Sequence, residues 1–320
     1  MNFDELVERA RSFQESRVLL TAIELDLFSA VAGGATAVDV AARLGADPRA
    51  TEMLLNALTA LRALTKDQGV FRCAGDIAQH LGERAALMHT VHLWDRWSTL
   101  TKAVRSGTAV RLGKIEARGA EWTEAFIAAM HRNASGRAPV VVEAVGVEAV
   151  ARMLDVGGGS GAYSIAFAQA SPLLHADILD LADVLPIAGR HIQEAGLADR
   201  VHTRPGDLKV DELGQGYGLV FISAICHMLG PEGNLDLFRR AWRALAPGGR
   251  IVVQDFLLEP DKTAPPWAAL FSLNMLVGTE QGASYSEPEY DQWLREAGFT
   301  QVRRVRLPEP AGLMVGIRAL

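Results

Sequence analysis

The 320-residue chain has only two cysteines, Cys73 and Cys226, far apart in sequence. They supply neither a disulfide framework nor a cluster of metal ligands. No apolar run approaches the ~18 residues of a transmembrane helix, and the charged, amphipathic start MNFDELVERARSF lacks the apolar core of a signal peptide. Basic residues are not in surplus: 32 Lys and Arg against 38 Asp and Glu give a net charge of −6. That balance argues against sequence-independent nucleic-acid binding, which needs a positive surface. Internal repeats and low-complexity tracts are also missing. These absences point to a soluble cytoplasmic protein. With 49% hydrophobic and 22% charged residues, the chain can bury one large core or two ordinary ones.

The first ~90 residues read as helices. Phe3, Leu6, Val7, Ala10 and Phe13 recur at helical spacing, and residues 18–31, VLLTAIELDLFSAV, read as one helix apolar on most of its circumference. Such a helix must be buried, and near a terminus a second subunit is the natural cover. Gly33–Gly34 stops it, Thr36 caps the next helix, Gly45 ends that one, and Asp47–Pro48 opens a third. TKDQGVFRCAG, 65–75, reads as a short hairpin. Three helices and a hairpin is winged-helix order, with DNA binding as its sharp reading. Residues 1–100 carry 10 Lys and Arg against 13 Asp and Glu, and the candidate recognition helix 49–64 has only Arg49 and Arg62 beside Glu52. A dimerisation and capping domain is therefore expected, with no nucleic acid and no membrane among the partners.

Residues 90–150 read as helical, with Trp122, Phe126 and Met130 in a stripe. From Ala151 strand-like and helical runs alternate: RMLDV, HADILDL, RVHTR, YGLVFIS and RIVVQDF are apolar strands of a parallel, doubly wound α/β sheet. FTQVRRVRL and GLMVGIRAL, separated by Pro308 and Pro310, read as a terminal antiparallel pair. LDVGGGSG, 154–161, joins the first strand to a helix, where glycine lets the backbone approach a ligand at a helix N-terminus. Alone it also fits a nicotinamide dinucleotide fingerprint, and Asp180, ending the next strand, would take a ribose hydroxyl in either case.

The order LDVGGGSG, DLADVL, PGD, ICHML, LAPGGRIVVQDF, closed by the terminal pair, resembles the class I S-adenosylmethionine (SAM)-dependent methyltransferases. It is most similar to the small-molecule O-methyltransferases that include plant caffeate and chalcone enzymes and bacterial antibiotic-tailoring enzymes. The resemblance covers nearly the whole chain, including the N-terminal winged-helix dimerisation domain. It implies a Rossmann-like methyltransferase fold, SAM as cofactor, a homodimer, and a methyl acceptor bearing a phenolic hydroxyl on an aromatic or polyketide-like molecule. Carried over by motif, Gly157, Gly159 and Gly161 turn beneath the cofactor's methionine portion, Asp180 takes its ribose hydroxyls, Asp207 and Leu208 flank its adenine, and Ser223 stands where the family has a cofactor-contacting lysine. His227 falls at the family's general base, with Asp255 as its orienter. Phe126, Met130 and Asn133 fall on the family's acceptor-lining helix, and Asn274 and Met275, with Trp267 and Phe271, share one face of a later helix.

Three departures stand out. Met228 and Leu229 follow the histidine where plant enzymes carry Asp or Asn and then Trp, Ser284 replaces a second acidic partner, and the lysine is Ser223. Carbon or nitrogen methylation, and a SAM-binding winged-helix regulator, are the alternatives to O-methylation. Cys226 reads as buried packing, because neighbours on an extended chain point to opposite faces. His89-x-x-His92 with Asp95 is too sparse for a metal site, and none is expected. Ser286-x-x-Glu289 reads as a capping box. The expected division is 1–95 dimerisation, 96–145 a helical connector lining the active site, and 146–320 the SAM-binding domain.

Overall fold

The structure, a computed structural model, describes residues 1–110, 119–147, 149–308 and 311–320. Pro310 of the terminal pair lies outside them. The chain forms two compact units, Met1–Trp94 with Glu124–Ala129, and Asp95–Thr123 with Met130–Leu320.

In the first unit, α1 (Phe3–Arg11) starts on a capping box of Asn2 and Glu5. There follow α2 (Phe13–Glu24), α3 (Leu27–Val31), β1 (Ala35–Thr36), α4 (Ala37–Leu44), α5 (Pro48–Ala60), β2 (Leu64–Asp67) and β3 (Val70–Cys73). The helix expected over 18–31 is broken. Asp26 adopts the left-handed conformation, φ 55°, and accepts from the Ser29 hydroxyl at 2.7 Å, so α2 ends and α3 begins anew. Its apolar circumference is also not fully covered, for Leu19 and Leu25 are exposed. The other punctuation holds: Thr36 and Asp39 form a capping box, Gly45 closes α4 with φ 62°, and Asp47 caps α5 ahead of Pro48. The hairpin β2–β3 pairs antiparallel and adds β1 at its edge. Leu27, Val31, Val40, Leu55, Leu58 and Phe71 form the core of this unit.

The chain continues through α6 (Arg84–Trp97), α7 (Leu100–Ser106) and the 26-residue α8 (Ala120–Val145), which runs through Pro139. Among the described residues no helix is long and apolar enough to cross a membrane. The second unit is built on β4 (Arg152–Val156), α9 (Ala162–Ala170), β5 (His175–Asp180), α10 (Leu185–Glu194), β6 (Val201–Pro205), β7 (Tyr217–Ser223), α11 (Pro231–Ala244), β8 (Leu245–Asp255), α12 (Pro266–Gly278), α13 (Glu287–Glu296), β9 (Thr300–Arg306) and β10 (Gly312–Ile317). The strand order is β6-β5-β4-β7-β8-β10-β9, parallel up to β8 and antiparallel in the last two pairings. Burial explains the continuous apolar runs: Leu154, Val156, Val220 and Ile222 pack on one face, Met153, Leu219 and Phe221 on the other. The Pro247–Gly248–Gly249 stretch is not a break before the last parallel strand. It lies inside β8, where the register with β7 shifts between Tyr217 and Leu219. Strand order reverses at β4, between β5 and β7, so ligand chemistry belongs at the C-terminal ends of these strands.

Candidate active site

At the end of β4 the chain turns on Gly157, Gly159 and Gly161, with φ of 70°, 57° and 77°. A Cβ at Gly157 would run into the Ile225 and Leu208 side chains, and one at Gly161 would stand 2.8 Å from Ile178 Cδ1. Only glycine keeps this backbone open to a ligand at the start of α9.

Asp180, ending β5, accepts from Gly159 N–H at 2.8 Å through one oxygen and from Leu181 N–H at 2.7 Å through the other. Each carboxylate oxygen has two acceptor sites, so one remains on each, which suits a pair of ribose hydroxyls. Burial raises its pKa above the ordinary carboxylate value, against the pull of the two N–H groups. Asp207, after β6, is half-buried; its carboxylate accepts from Lys209 N–H at 2.9 Å and Leu208 follows it. The glycine cradle and these sheet-end acceptors fit SAM. Ser223, ending β7, donates to Gln254 Oε1.

His227 and Asp255 stand side by side, both buried. The imidazole Nδ1 stands 2.6 Å from Asp255 Oδ1. An ionised carboxylate only accepts, so Nδ1 carries the proton and Nε2 keeps its lone pair. Burial alone would raise Asp255; the His227 imidazole and the donors around the carboxylate outweigh it and hold the group below the usual carboxylate range. The histidine sits in a short 3₁₀ turn, Cys226–Met228, not on extended chain. Cys226 is therefore separated from it by turn geometry. Its thiol is fully buried, and burial pushes it well above its ordinary value.

Aromatic rings surround the imidazole. Phe271 meets it edge-on at 4.8 Å, Phe256 stacks at 5.8 Å, and Trp267 meets Phe256 at 5.2 Å. Phe271 and Trp267 come from α12, as does Met275, which is buried, and Asn274, whose Oδ1 accepts from Trp97 Nε1 at 2.9 Å. Asn274 is thus engaged within the protein. On α8, Met130 is half-buried and Asn133 exposed. Phe126 belongs to the first unit, where its ring meets His89 edge-on at 5.3 Å. Ser284, at the place of the second acid, donates to the Ala268 carbonyl at 2.9 Å rather than to His227.

Sequence reasoning missed four residues. Asp155, inside the glycine motif, is buried and accepts from Ser164 at 2.7 Å; burial pushes its pKa up to about 7. Tyr290 donates to Asp255 Oδ2 at 3.0 Å. Tyr163, at the start of α9, is raised by burial and sits beside Ser223 and Arg137. Arg137, one helical turn beyond Asn133, lies over the Phe256 ring at 5.8 Å and forms no ion pair among the described residues. The motif spacing signalled Asp155; the other three are brought in by tertiary packing. Among the described residues no group of three His, Cys, Asp or Glu side chains stands close enough to hold a metal ion.

Residues 97–300 match the O-methyltransferase domain family, and residues 7–80 match the O-methyltransferase dimerisation domain. The 3-hydroxy-5-methyl-1-naphthoate 3-O-methyltransferase of Streptomyces sahachiroi is 33% identical over 98% of this chain and 95% of its own length. The L-tyrosine C(3)-methyltransferase of Streptomyces lavendulae is 30% identical over 93% of this chain and 87% of its own. Among solved structures, PigF with SAH, a Serratia methyltransferase, superposes with a TM-score of 0.88 at 27% identity, covering 99% of this chain and 100% of that one. With its glycine cradle, its seven-stranded sheet and both family domains accounted for, the chain belongs to the SAM-dependent O-methyltransferases, and SAM is its cofactor.

Proposed function

We propose that this enzyme methylates a phenolic hydroxyl of an aromatic or polyketide-like small molecule, with His227 as general base and Asp255 as its orienter. The observation that carries the reading is the buried His227–Asp255 pair, at 2.6 Å, inside a wall of Phe256, Phe271 and Trp267. Bound SAM supplies a sulfonium-activated methyl group and leaves as its thioether. The protein's work is to align the acceptor and take its proton. Alignment of two bound reactants contributes up to roughly 7–11 kcal/mol in ideal cases, and a general base adds ~10²–10⁴-fold. Nε2 accepts the phenolic proton as the oxygen–methyl bond forms, and the carboxylate on Nδ1 stabilises the imidazolium.

Gly157, Gly159 and Gly161 hold the cofactor's methionine portion, Asp180 its ribose, Asp207 and Leu208 its adenine, and Ser223 its amino-acid end. Met130, Asn133, Asn274 and Met275 border the acceptor. Arg137 adds a charge requirement: an arginine with no acidic partner among the described residues, over the aromatic wall, fits an acceptor whose ring carries a carboxylate. The naphthoate-methylating relative supports that substrate class. The functional division is residues 1–95 for dimerisation, 96–145 as connector and 146–320 for catalysis. A cytoplasmic homodimer fits the dimerisation-domain match and the acidic N-terminal balance.

Phenols and hydroxyaryl acids assayed with labelled SAM should give methyl ethers, and His227→Ala should lose about 10²–10⁴ in kcat. Near wild-type turnover by the variant at neutral pH would remove the base assignment. The tyrosine C(3)-methyltransferase relative favours one second reading, methylation at a ring carbon next to the hydroxyl, using the same base. Fragmentation of the product, placing the methyl on oxygen or carbon, decides between them.

A further inference from the structure

We infer that Tyr290 is a positioning residue of the His227–Asp255 pair, filling by a different route the role of the missing second acid. The inference rests on the proposed function of His227 as base.

The hydrogen-bond geometry of Asp255 carries the argument. Oδ1 accepts from His227 Nδ1 at 2.6 Å and Phe256 N–H at 2.8 Å, and Oδ2 accepts from His227 N–H at 3.1 Å and the Tyr290 hydroxyl at 3.0 Å. All four acceptor sites of the carboxylate are occupied, and the group is 2% exposed. Such a charge is stable only when fully paired. Two of its donors are backbone groups and one is the base itself, so among the described residues Tyr290 is the one side-chain donor to the pair from outside it.

The position of Tyr290 is itself over-determined. It lies on the first turns of α13, which opens on the Ser286–Glu289 capping box and the Glu289–Lys262 ion pair at 2.7 Å. Its ring is 1% exposed and packs against Trp293, Tyr285 and Phe238. Tyr285 in turn donates to the Leu229 carbonyl at 2.6 Å, tying down the turn that carries His227. Where related enzymes place a second carboxylate, Ser284 is turned away to the Ala268 carbonyl. A single carboxylate, fixed on its far side by a phenol, replaces a pair. The other titratable groups acting on Asp255 are Cys226, Tyr285 and Tyr290, and burial pushes all three up, so they stay neutral across the working range.

A donor on Oδ2 draws charge away from Oδ1. Removing it leaves more charge facing the imidazole, which then holds its proton more tightly and serves as base only at higher pH. In Tyr290→Phe, which keeps the ring packing, the acidic limb of the kcat–pH profile should move to higher pH by about 0.5 to 1. Expected with it is an about 3- to 10-fold fall in kcat on the acidic limb that largely recovers on the alkaline side, with acceptor KM little changed. An unmoved limb overturns the inference, whether kcat is unchanged or uniformly lowered, since a uniform loss reports packing alone. A 3-fluorotyrosine installed at position 290, a stronger donor of nearly the same shape, should move the limb the opposite way, and it decides the matter if the phenylalanine variant does not fold. His227→Ala is measured alongside. Full activity there overturns the base assignment, whereas an inactive His227→Ala with an unmoved Tyr290→Phe limb overturns only the role of Tyr290.

Discussion

Replacing Asp255 by asparagine changes one atom and removes one charge, and the consequence follows from four hydrogen bonds. The carboxylate receives His227 Nδ1 and Phe256 N–H on one oxygen and His227 N–H and Tyr290 on the other. An amide accepts only at its oxygen. With its NH₂ at the Oδ2 position, Tyr290 can rotate its hydroxyl to accept, but the His227 backbone N–H loses its acceptor in a buried site. That orphan costs about 1–3 kcal/mol of stability. With its NH₂ at the Oδ1 position, Phe256 N–H is orphaned instead and Nδ1 must become the acceptor. The proton then sits on Nε2, where the base should be free. Both orientations forfeit the charge that steadies the imidazolium. Asp255→Asn should therefore lower kcat by about 10²–10⁴ and unfolding stability by about 1–3 kcal/mol, with SAH affinity nearly unchanged. Initial rates with labelled SAM, urea unfolding and calorimetric SAH titration measure the three quantities. The depressed pKa of Asp255 supplies stability above its unfolded value, near 4, and loses it below. The variant's deficit should therefore shrink only under acid conditions. A kcat within threefold of wild type, in a folded variant, would refute the reasoning.

Arg137→Met should raise KM for hydroxyaryl acids by about tenfold or more, while leaving KM for their methyl esters and for SAM nearly unchanged; steady-state kinetics on acid–ester pairs reads this, and equal effects on both members would dismiss a carboxylate-binding role. Asp155, buried and raised to about 7, contributes stability that is full below its unfolded value near 4 and is lost as pH rises to about 7, a difference of about 4 kcal/mol. Relative to wild type, Asp155→Asn should gain stability over that window in urea titrations; parallel curves would count against a buried carboxyl that resists ionisation.

The sheet was legible because burial on both faces writes strands as apolar runs, and because the glycine turn after β4 leaves a compact motif. Thr36, Asp47 and Ser286 could be read as caps because a cap is satisfied within four residues of itself. Local signals failed at Asp26, where one residue in the left-handed conformation split an otherwise unbroken apolar stretch. They failed again at Cys226, whose 3₁₀ turn depends on the Asn234 amide reaching its carbonyl at 3.0 Å from α11. The His227–Asp255 pair was reachable through spacing and resemblance, since both residues end adjacent parallel strands or the turn after them. Tyr290 and Arg137 come from α13 and α8, far away in sequence, and nothing local marks them as neighbours of the site.

Asp155 and Asp255 show why the remaining chemistry could not be read from residue type. Both lie at the C-terminal end of a strand of one sheet, each is almost fully buried, and each is an aspartate beside a motif. Their charges nevertheless move in opposite directions. Among the described residues Asp155 draws donors from Ser164 alone, its hydroxyl and its backbone N–H, and faces the Asp180 carboxylate, so burial dominates and the acid form is favoured. Asp255 has four donors, one of them an imidazole, and these overcome the same burial. The sign is set by the number of hydrogens pointing at each carboxylate, and three of the elements that supply them (the turn after β7, α9 and α13) are placed only by the finished fold. A strand-end aspartate in this sheet thus becomes a base-orienting anion only where a turn and a helix converge on it. Adding one donor to Asp155, or removing one from Asp255, should move each toward the behaviour of the other.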